Sequence, residues 1–367
     1  MKPCILPWIN FGTNIYGRPR VCGYSEIKAE KKLQNSSIEE AWNNDYYNSI
    51  RKTFLKGEWP DNCRRCKHVE ELGGESKRMD ENHMWFDEYQ HLIKEDVDFQ
   101  PPHMDVRTGT VCNFKCIHCG PNVSSRWVED KEISEKYGAP YVENDNTWIA
   151  QDKKFWDDLD ISQIKRYNFL GGESFYNKRH NEFIKRLNES EYAKDVEIAY
   201  VSNGSLKFDN MENFKKVRLR LSVDCVEEAG EYFRYGLDWD KWCDNISEFP
   251  DNFDVSFQWT MSNVSMFYLS ETYTYCRTEF PDIRFLFENH VTEPYHMSAQ
   301  NLPLSIKEKI REEIDWIDLP DSYVNYMMEK DGWDGRLIPY LNDLDKVRNT
   351  NWKESLCGLW TQLNGLT

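Results

Sequence analysis

Apolar and polar residues alternate in short runs through the middle of this 367-residue chain. Runs with a period near two, bounded by turn residues, read as strands at His103–Arg107, Tyr167–Leu170, Val196–Val201, Arg218–Val223, Asp254–Met261 and Ile283–Asn289. Between them the apolar spacing changes to three and four, as in Asn181–Asn188 and Glu227–Trp242, which read as helices. Strand, loop and helix repeat from about 101 to 295, with 139–160 reading as an insertion before the second strand. This alternation predicts an α/β fold, with a parallel sheet covered by helices and either open or closed into a barrel. In such barrels functional residues gather at the C-terminal ends of the strands.

The flanks differ. Residues 1–80 form one compositional unit with a helix expected over Ser37–Lys56. Ser37 and Glu40 make a capping box there, and Ile38, Ala41, Trp42, Ile50 and Phe54 can share an apolar face. Residues 81–100 read as a helical connector. Residues 296–367 read as a helical extension, clearest at Leu304–Trp316.

Composition narrows the function classes. The formal net charge of −17 repels a phosphate backbone, and no basic stripe with interleaved aromatics offsets it, so nucleic acid is not expected as a partner. No eighteen-residue apolar run occurs, so no membrane span is expected. The start, Met1 to Trp8, lacks a signal-peptide pattern, which makes a cytoplasmic protein the expectation. Eleven cysteines in such a protein are more often metal ligands or reactive thiols than disulfides.

Seven of the eleven fall into two groups. Cys112, Cys116 and Cys119 have the spacing C-x3-C-x2-C, just past the strand at 103–107. Three thiolates can hold three irons of a cubane and leave the fourth open to another ligand; the competing reading is a zinc site, which usually takes four protein ligands. Cys63 and Cys66 form a C-x2-C knuckle that Cys4 and Cys22 could complete, as a fully coordinated 4Fe–4S cluster or as zinc. Of the remaining four, Cys243 and Cys276 sit in helical patterns and read as structural.

The cysteine loop after the first core strand resembles the radical SAM superfamily, although His118 stands where the family usually has another aromatic. Leu170-Gly171-Gly172-Glu173 follows the second core strand and resembles the family's Gly-Gly-Glu. Ser202-Asn203-Gly204 ends the third and resembles Thr-Asn-Gly. Ser222-Val223-Asp224 ends the fourth, and Arg234 follows at the interval seen in peptide-modifying members. The N-terminal string of Cys4, Pro7-Trp8, Val21-Cys22, Glu40-Ala41-Trp42, Ile50-Arg51, Gly57, Pro60, Cys63 and Cys66 resembles a SPASM or twitch module placed before the core.

The resemblance implies a partial (β/α)6 TIM-type barrel over 101–295 and an auxiliary 4Fe–4S cluster on Cys4, Cys22, Cys63 and Cys66. It implies a second 4Fe–4S cluster on Cys112, Cys116 and Cys119 whose open iron binds S-adenosylmethionine. Gly171, Gly172 and Glu173 would meet the amino group of that cofactor, since glycines permit close backbone approach and a carboxylate suits an ammonium. His118, Asn203, Ser222, Asp224 and Arg234 would line the rest of it. Reductive cleavage to a 5′-deoxyadenosyl radical would follow, with flavodoxin or ferredoxin as the electron source. The radical would act on a peptide, or alternatively on a small molecule such as a sugar or nucleotide derivative. Cys225 and Cys357 are candidate hydrogen-atom donors. The reading from another class is a non-catalytic zinc-binding interaction protein.

Overall fold

The computed structural model describes residues 2–25, 37–71, 73–98, 101–138 and 161–364. The insertion expected at 139–160 lies outside the described residues. Among the described residues the strands are β1 (Asn10–Thr13), β2 (Pro19–Arg20), β3 (His103–Arg107), β4 (Arg166–Leu170), β5 (Glu197–Ser202), β6 (Lys216–Ser222), β7 (Phe253–Met261) and β8 (Arg284–His290). Their order in the sheet is β2-β1-β3-β4-β5-β6-β7-β8. The β1–β3, β3–β4, β4–β5 and β7–β8 pairs are parallel, and the β1–β2 pair is antiparallel. All six strands read from the sequence are there, within two residues of the expected bounds. β1 and β2 are additional, and they join the N-terminal region to the same sheet.

The chain divides into two compact units. The first comprises 1–109, 144–200 and 210–217, and the second 110–143, 201–209 and 218–367. In the first unit the strands alternate. Tyr167, Phe169, Ile198 and Tyr200 are buried on one face. Phe183, from the helix Lys178–Asn188, meets Tyr167 edge-on at 5.4 Å and Phe169 at 6.3 Å. The opposite face carries the polar positions. Register aligns Arg20 with Gly12, Gly12 with Asp105, Asp105 with Asn168 and Asn168 with Ala199, so these residues share that face.

The helix expected over Ser37–Lys56 is two helices, Ile38–Trp42 and Asp45–Leu55. The capping box of Ser37 and Glu40 is present. The break has a local cause: the Asn44 side chain accepts from the Tyr47 amide and starts a second helix. Arg51 on that helix is buried and donates to the carbonyls of Pro7 and Trp42, which fixes the short helix Leu6–Ile9.

The second unit has one core in which Trp259 and Met261 of β7 pack with the C-terminal helices Leu337–Arg348 and Cys357–Leu363. Leu341, Leu344, Leu359 and Leu363 are fully buried there, and each such leucine contributes about 1.5–3 kcal/mol. The expected single helix Glu227–Trp242 is again two, Glu227–Phe233 and Trp239–Ile246. Gly236 lies between them at φ 110°, a conformation natural to glycine. This break turns Arg234 into the interior.

Candidate active site

The loop carrying Cys112, Cys116 and Cys119 has no regular structure, so its peptide groups need partners from elsewhere in the second unit. They have them. The amides of Lys115 and Ile117 donate to the carbonyls of Tyr235 and Phe233, both at 2.9 Å. The Trp127 indole donates to the Cys116 carbonyl at 3.2 Å, and the Tyr340 hydroxyl to the Ile117 carbonyl at 2.6 Å. Ser124 and Arg126 donate to the carbonyls of Phe114 and Asn113. A buried ion triad reinforces the loop: Asp130 meets Lys115 Nζ at 2.9 Å and Arg348 Nε at 2.9 Å.

The thiols influence one another electrostatically, and that of Cys112 also meets N–H donors. The Phe114 amide and the Asn203 side-chain amide approach Cys112 Sγ at 3.4 Å and 3.9 Å. Cys116 and Cys119 are hydrogen-bonded. That bond lowers the Cys116 pKa, burial opposes the shift, and the Arg234 guanidinium assists it. Cys119 then moves up, through the same bond and through burial. The pair thus gives up its first proton readily and holds the second. N–H donors and a nearby cation suit thiolate ligands of an iron–sulfur centre. Among the described residues no three or more His, Cys, Asp or Glu are preset around a single metal ion. A cubane differs, because each thiolate meets a different iron.

Asn203 belongs to the same group. Its amide donates to Asn113 Oδ1 at 2.9 Å, Ser205 Oγ donates back to Asn203 Oδ1 at 2.6 Å, and Asn113 donates to Ser205 Oγ at 2.8 Å. Gly204 sits at φ 72°, and a Cβ there would stand 2.3 Å from the Trp242 indole nitrogen. That nitrogen donates to the Asn203 carbonyl.

Asp224 and Arg234 form a buried ion pair at 2.5 Å, and the Thr260 amide adds a bond to Asp224 at 3.3 Å. Arg234 reaches Asp224 because it caps the C-terminus of the helix Glu227–Phe233, where its amide donates to the Gly230 carbonyl. Gly230 is required, since a Cβ would stand 2.7 Å from the Cys225 carbonyl oxygen. Among the described residues, the Arg234 Nε and the His118 Nδ1 are buried without hydrogen-bond partners. The His118 ring lies 5.0 Å from Phe233. Burial lowers the His118 pKa, Asp224 opposes the shift and Arg234 adds to it, so the ring is neutral near pH 7.

The carboxylate that Arg234 meets here is therefore that of Asp224. Ser222 is half-buried at the end of β6. Cys225 is buried, and burial and Asp224 raise its pKa. Cys357 is exposed at the start of its helix. Cys243 and Cys276 lie in the helices Trp239–Ile246 and Leu269–Glu279.

Gly171, Gly172 and Glu173 lie in the first unit, directly after β4. The glycines have φ of 96° and 54°, and a Cβ on Gly171 would stand 2.8 Å from the Gly109 carbonyl oxygen. Thr108 Oγ1 donates to the Gly171 carbonyl at 2.9 Å. Glu173 is buried, and its carboxylate accepts from the Phe175 amide at 3.2 Å.

Cys4, Cys22, Cys63 and Cys66 also lie in the first unit, where they line one cavity with Leu6, Tyr24 and Lys77. Burial raises the pKa of Cys4, and negative charge on Cys22, Cys63 or Cys66 raises it further. Burial likewise pushes Cys63 up to about 12, with Cys22 and Cys66 adding to the shift. Burial also raises Cys22, so these buried thiols favour the protonated form unless a cation takes the protons' place, and four cysteines around one cavity are the donor set of a structural zinc or iron–sulfur centre.

Tyr340, Trp127, Asp130 and Arg348 hold the cysteine loop, and sequence reasoning passes over all four. Tyr340 and Arg348 lie more than two hundred residues from their partners, and no local pattern marks them.

Residues 106–275 match the family model described as the radical SAM superfamily. No curated protein matches the chain. Among solved structures, the chain is similar to one described as native anSMEcpe with bound AdoMet, at 16% identity and a TM-score of 0.35, over 62% of each chain. A Streptococcus suis SuiB structure bound to S-adenosylmethionine aligns at 12% identity and a TM-score of 0.31, over 74% of this chain and 62% of that one. A TYW1 structure with a lysine-pyruvate adduct aligns at 16% identity and a TM-score of 0.29, over 58% and 71%. The chain thus spans less than two thirds of anSMEcpe and of SuiB.

Proposed function

The chain belongs to the radical SAM superfamily through residues 106–275, and on that premise we propose that it is an enzyme that cleaves S-adenosylmethionine reductively and directs the resulting radical at a peptide. The observation that carries this reading is the trio of thiols inside the matched region, with N–H donors on Cys112 and the buried Arg234 guanidinium acting on Cys116 and Cys119. When bound, a 4Fe–4S cluster and S-adenosylmethionine supply one-electron cleavage to a 5′-deoxyadenosyl radical, the chemistry the family implies.

Cys112, Cys116 and Cys119 would hold that cluster. Gly171, Gly172 and Glu173 would take the cofactor's amino group, and His118, Asn203, Ser222, Asp224 and Arg234 its remaining polar groups. Asp224 acts as a positioning residue, since it neutralises Arg234 and orients its guanidinium. The unpartnered Arg234 Nε and His118 Nδ1 are donors or acceptors that a polar ligand can satisfy. Phe233 and Trp259 keep water from the interior of the second unit.

Residues 1–80 would serve as the auxiliary module, with a 4Fe–4S cluster on Cys4, Cys22, Cys63 and Cys66. Residues 81–100 connect it to the core at 101–295, and 296–367 extend the core. Flavodoxin or ferredoxin would deliver the electron. Cys225 and Cys357 remain the thiols proposed as hydrogen-atom donors.

The test is anaerobic purification and reconstitution. We expect brown protein with about eight irons per chain and matching sulfide, which releases 5′-deoxyadenosine when reduced in the presence of S-adenosylmethionine. Colourless protein with tightly bound zinc and no uptake of iron would overturn the reading.

A further inference from the structure

Arg20 ends β2 and Arg107 ends β3, both on the polar face of the first unit's sheet. Arg20 is aligned with Gly12, and Gly12 with Asp105; Arg107 is two residues beyond Asp105 and so shares its face. Gly12 has no side chain to fill the row between Arg20 and Asp105. The two guanidiniums converge: a Cβ built on Gly23 would lie 3.3 Å from Arg20 Nη2 and 3.5 Å from Arg107 Nη2. Burial lowers the Arg107 pKa, and Arg20 lowers it further while Asp105 resists.

Among the described residues, Asp105 is the one carboxylate paired with either guanidinium. Asp105 lies 3.7 Å from Arg107 Nε, close enough for an ion pair but too long for a hydrogen bond. Among the described residues, the Nε atoms of Arg20 and Arg107 and the Asp105 Oδ1 are buried without hydrogen-bond partners. Arg20 forms no ion pair among the described residues. Lys77 nearby is already paired with Glu81 at 2.6 Å. Two planar forks therefore converge beside Gly23, with donors unused among the described residues. Such forks match the oxygens of a carboxylate or phosphate.

We infer that Arg20 and Arg107 form a subsite for an oxyanion, a carboxylate or a phosphate, carried by the substrate. The identity of the carrier rests on the function proposed above; the anion site itself does not. On a peptide, the group would be an acidic side chain or the C-terminal carboxylate.

The experiment titrates the reconstituted full-length protein with acetate and with inorganic phosphate, at constant ionic strength set by chloride, and follows heat or the unfolding midpoint. We expect saturable binding of at least one anion. Arg20→Gln and Arg107→Gln each weaken it about tenfold or more, and Arg20→Lys, which keeps the charge but not the fork, weakens it less. Tighter acetate identifies a carboxylate site and tighter phosphate a phosphate site. No saturable binding beyond chloride, or binding unchanged in Arg20→Lys and both glutamine variants, overturns the inference. Wild-type protein that binds the anion but never releases 5′-deoxyadenosine would end the radical reading and leave the subsite standing.

Discussion

Asp130→Ala removes the carboxylate that joins Lys115 and Arg348 in the buried triad. Side-chain exposure is 4% for Asp130, 6% for Lys115 and 2% for Arg348, so the two cations are left inside the protein. Breaking a buried pair in this way costs about 3–5 kcal/mol. Glu129 also meets Lys115, at 3.1 Å, but it is 53% exposed and contributes little. Residual cation–π contacts compensate in part: Lys115 lies 5.2 Å from the Tyr235 ring, and Arg348 lies 4.8 Å from Trp127. We therefore expect the low end, about 3 kcal/mol, and, for a chain of 367 residues, a fall in unfolding midpoint of about 4 °C. Because Lys115 lies between Cys112 and Cys116, iron bound at that loop should fall with stability. The assay is anaerobic chemical denaturation of wild type and variant, paired with iron analysis after reconstitution. A loss below about 1 kcal/mol with full iron would refute the claim that the triad is a buried, unsolvated clamp.

Gly204→Ala should destabilise by about 2–4 kcal/mol, because it combines a positive φ with a Cβ driven into the Trp242 indole; denaturation reads this directly. Cys63→Ala with Cys66→Ala should lower bound iron from about eight to about four per chain if the N-terminal thiols hold a cluster, and unchanged iron rules that out. Burial depresses His103 to about 3 and His180 and His296 to about 4. Their folded pKa values lie below the unfolded value, so the unfolded state binds more protons at mildly acid pH. Their contribution is full above about pH 6.5 and is lost as pH falls toward 4, at about 1.4 kcal/mol per pKa unit for each group. Stability measured at pH 7 and pH 5 should differ accordingly, and His180→Gln should flatten the profile.

Alternation makes the six core strands legible, since each has enough residues to show period two. β1 escapes because it is four residues long and its polar-face positions are Asn10 and Gly12, which look like a turn. β2, at two residues, has no period at all. The helix breaks at Asn43–Asn44 and at 234–238 depend on capping and on a single left-handed glycine, which a periodicity window averages over. Of the candidate site, the three loop cysteines, Asn203 and Arg234 stand out by order along the chain, and the second unit brings them together. The Asp224–Arg234 pairing does not, because motif order marks each residue for the cofactor and neither for the other. Arg20 and Arg107 have no motif to mark them; their meeting is set by strand register.

The tie between Arg348 and Asp130 spans 218 residues. At about 5–20 residues per second, a ribosome needs roughly 10–45 s to make the second partner after the first. During that interval the cysteine loop has emerged while its tyrosine and arginine clamps have not yet been synthesised. If the loop takes up a cluster as proposed, metal delivered to the nascent chain would meet thiols without those clamps, and metal delivered after release would meet thiols held by them. Maturation during translation and reconstitution of finished protein are in this respect different reactions of the same loop.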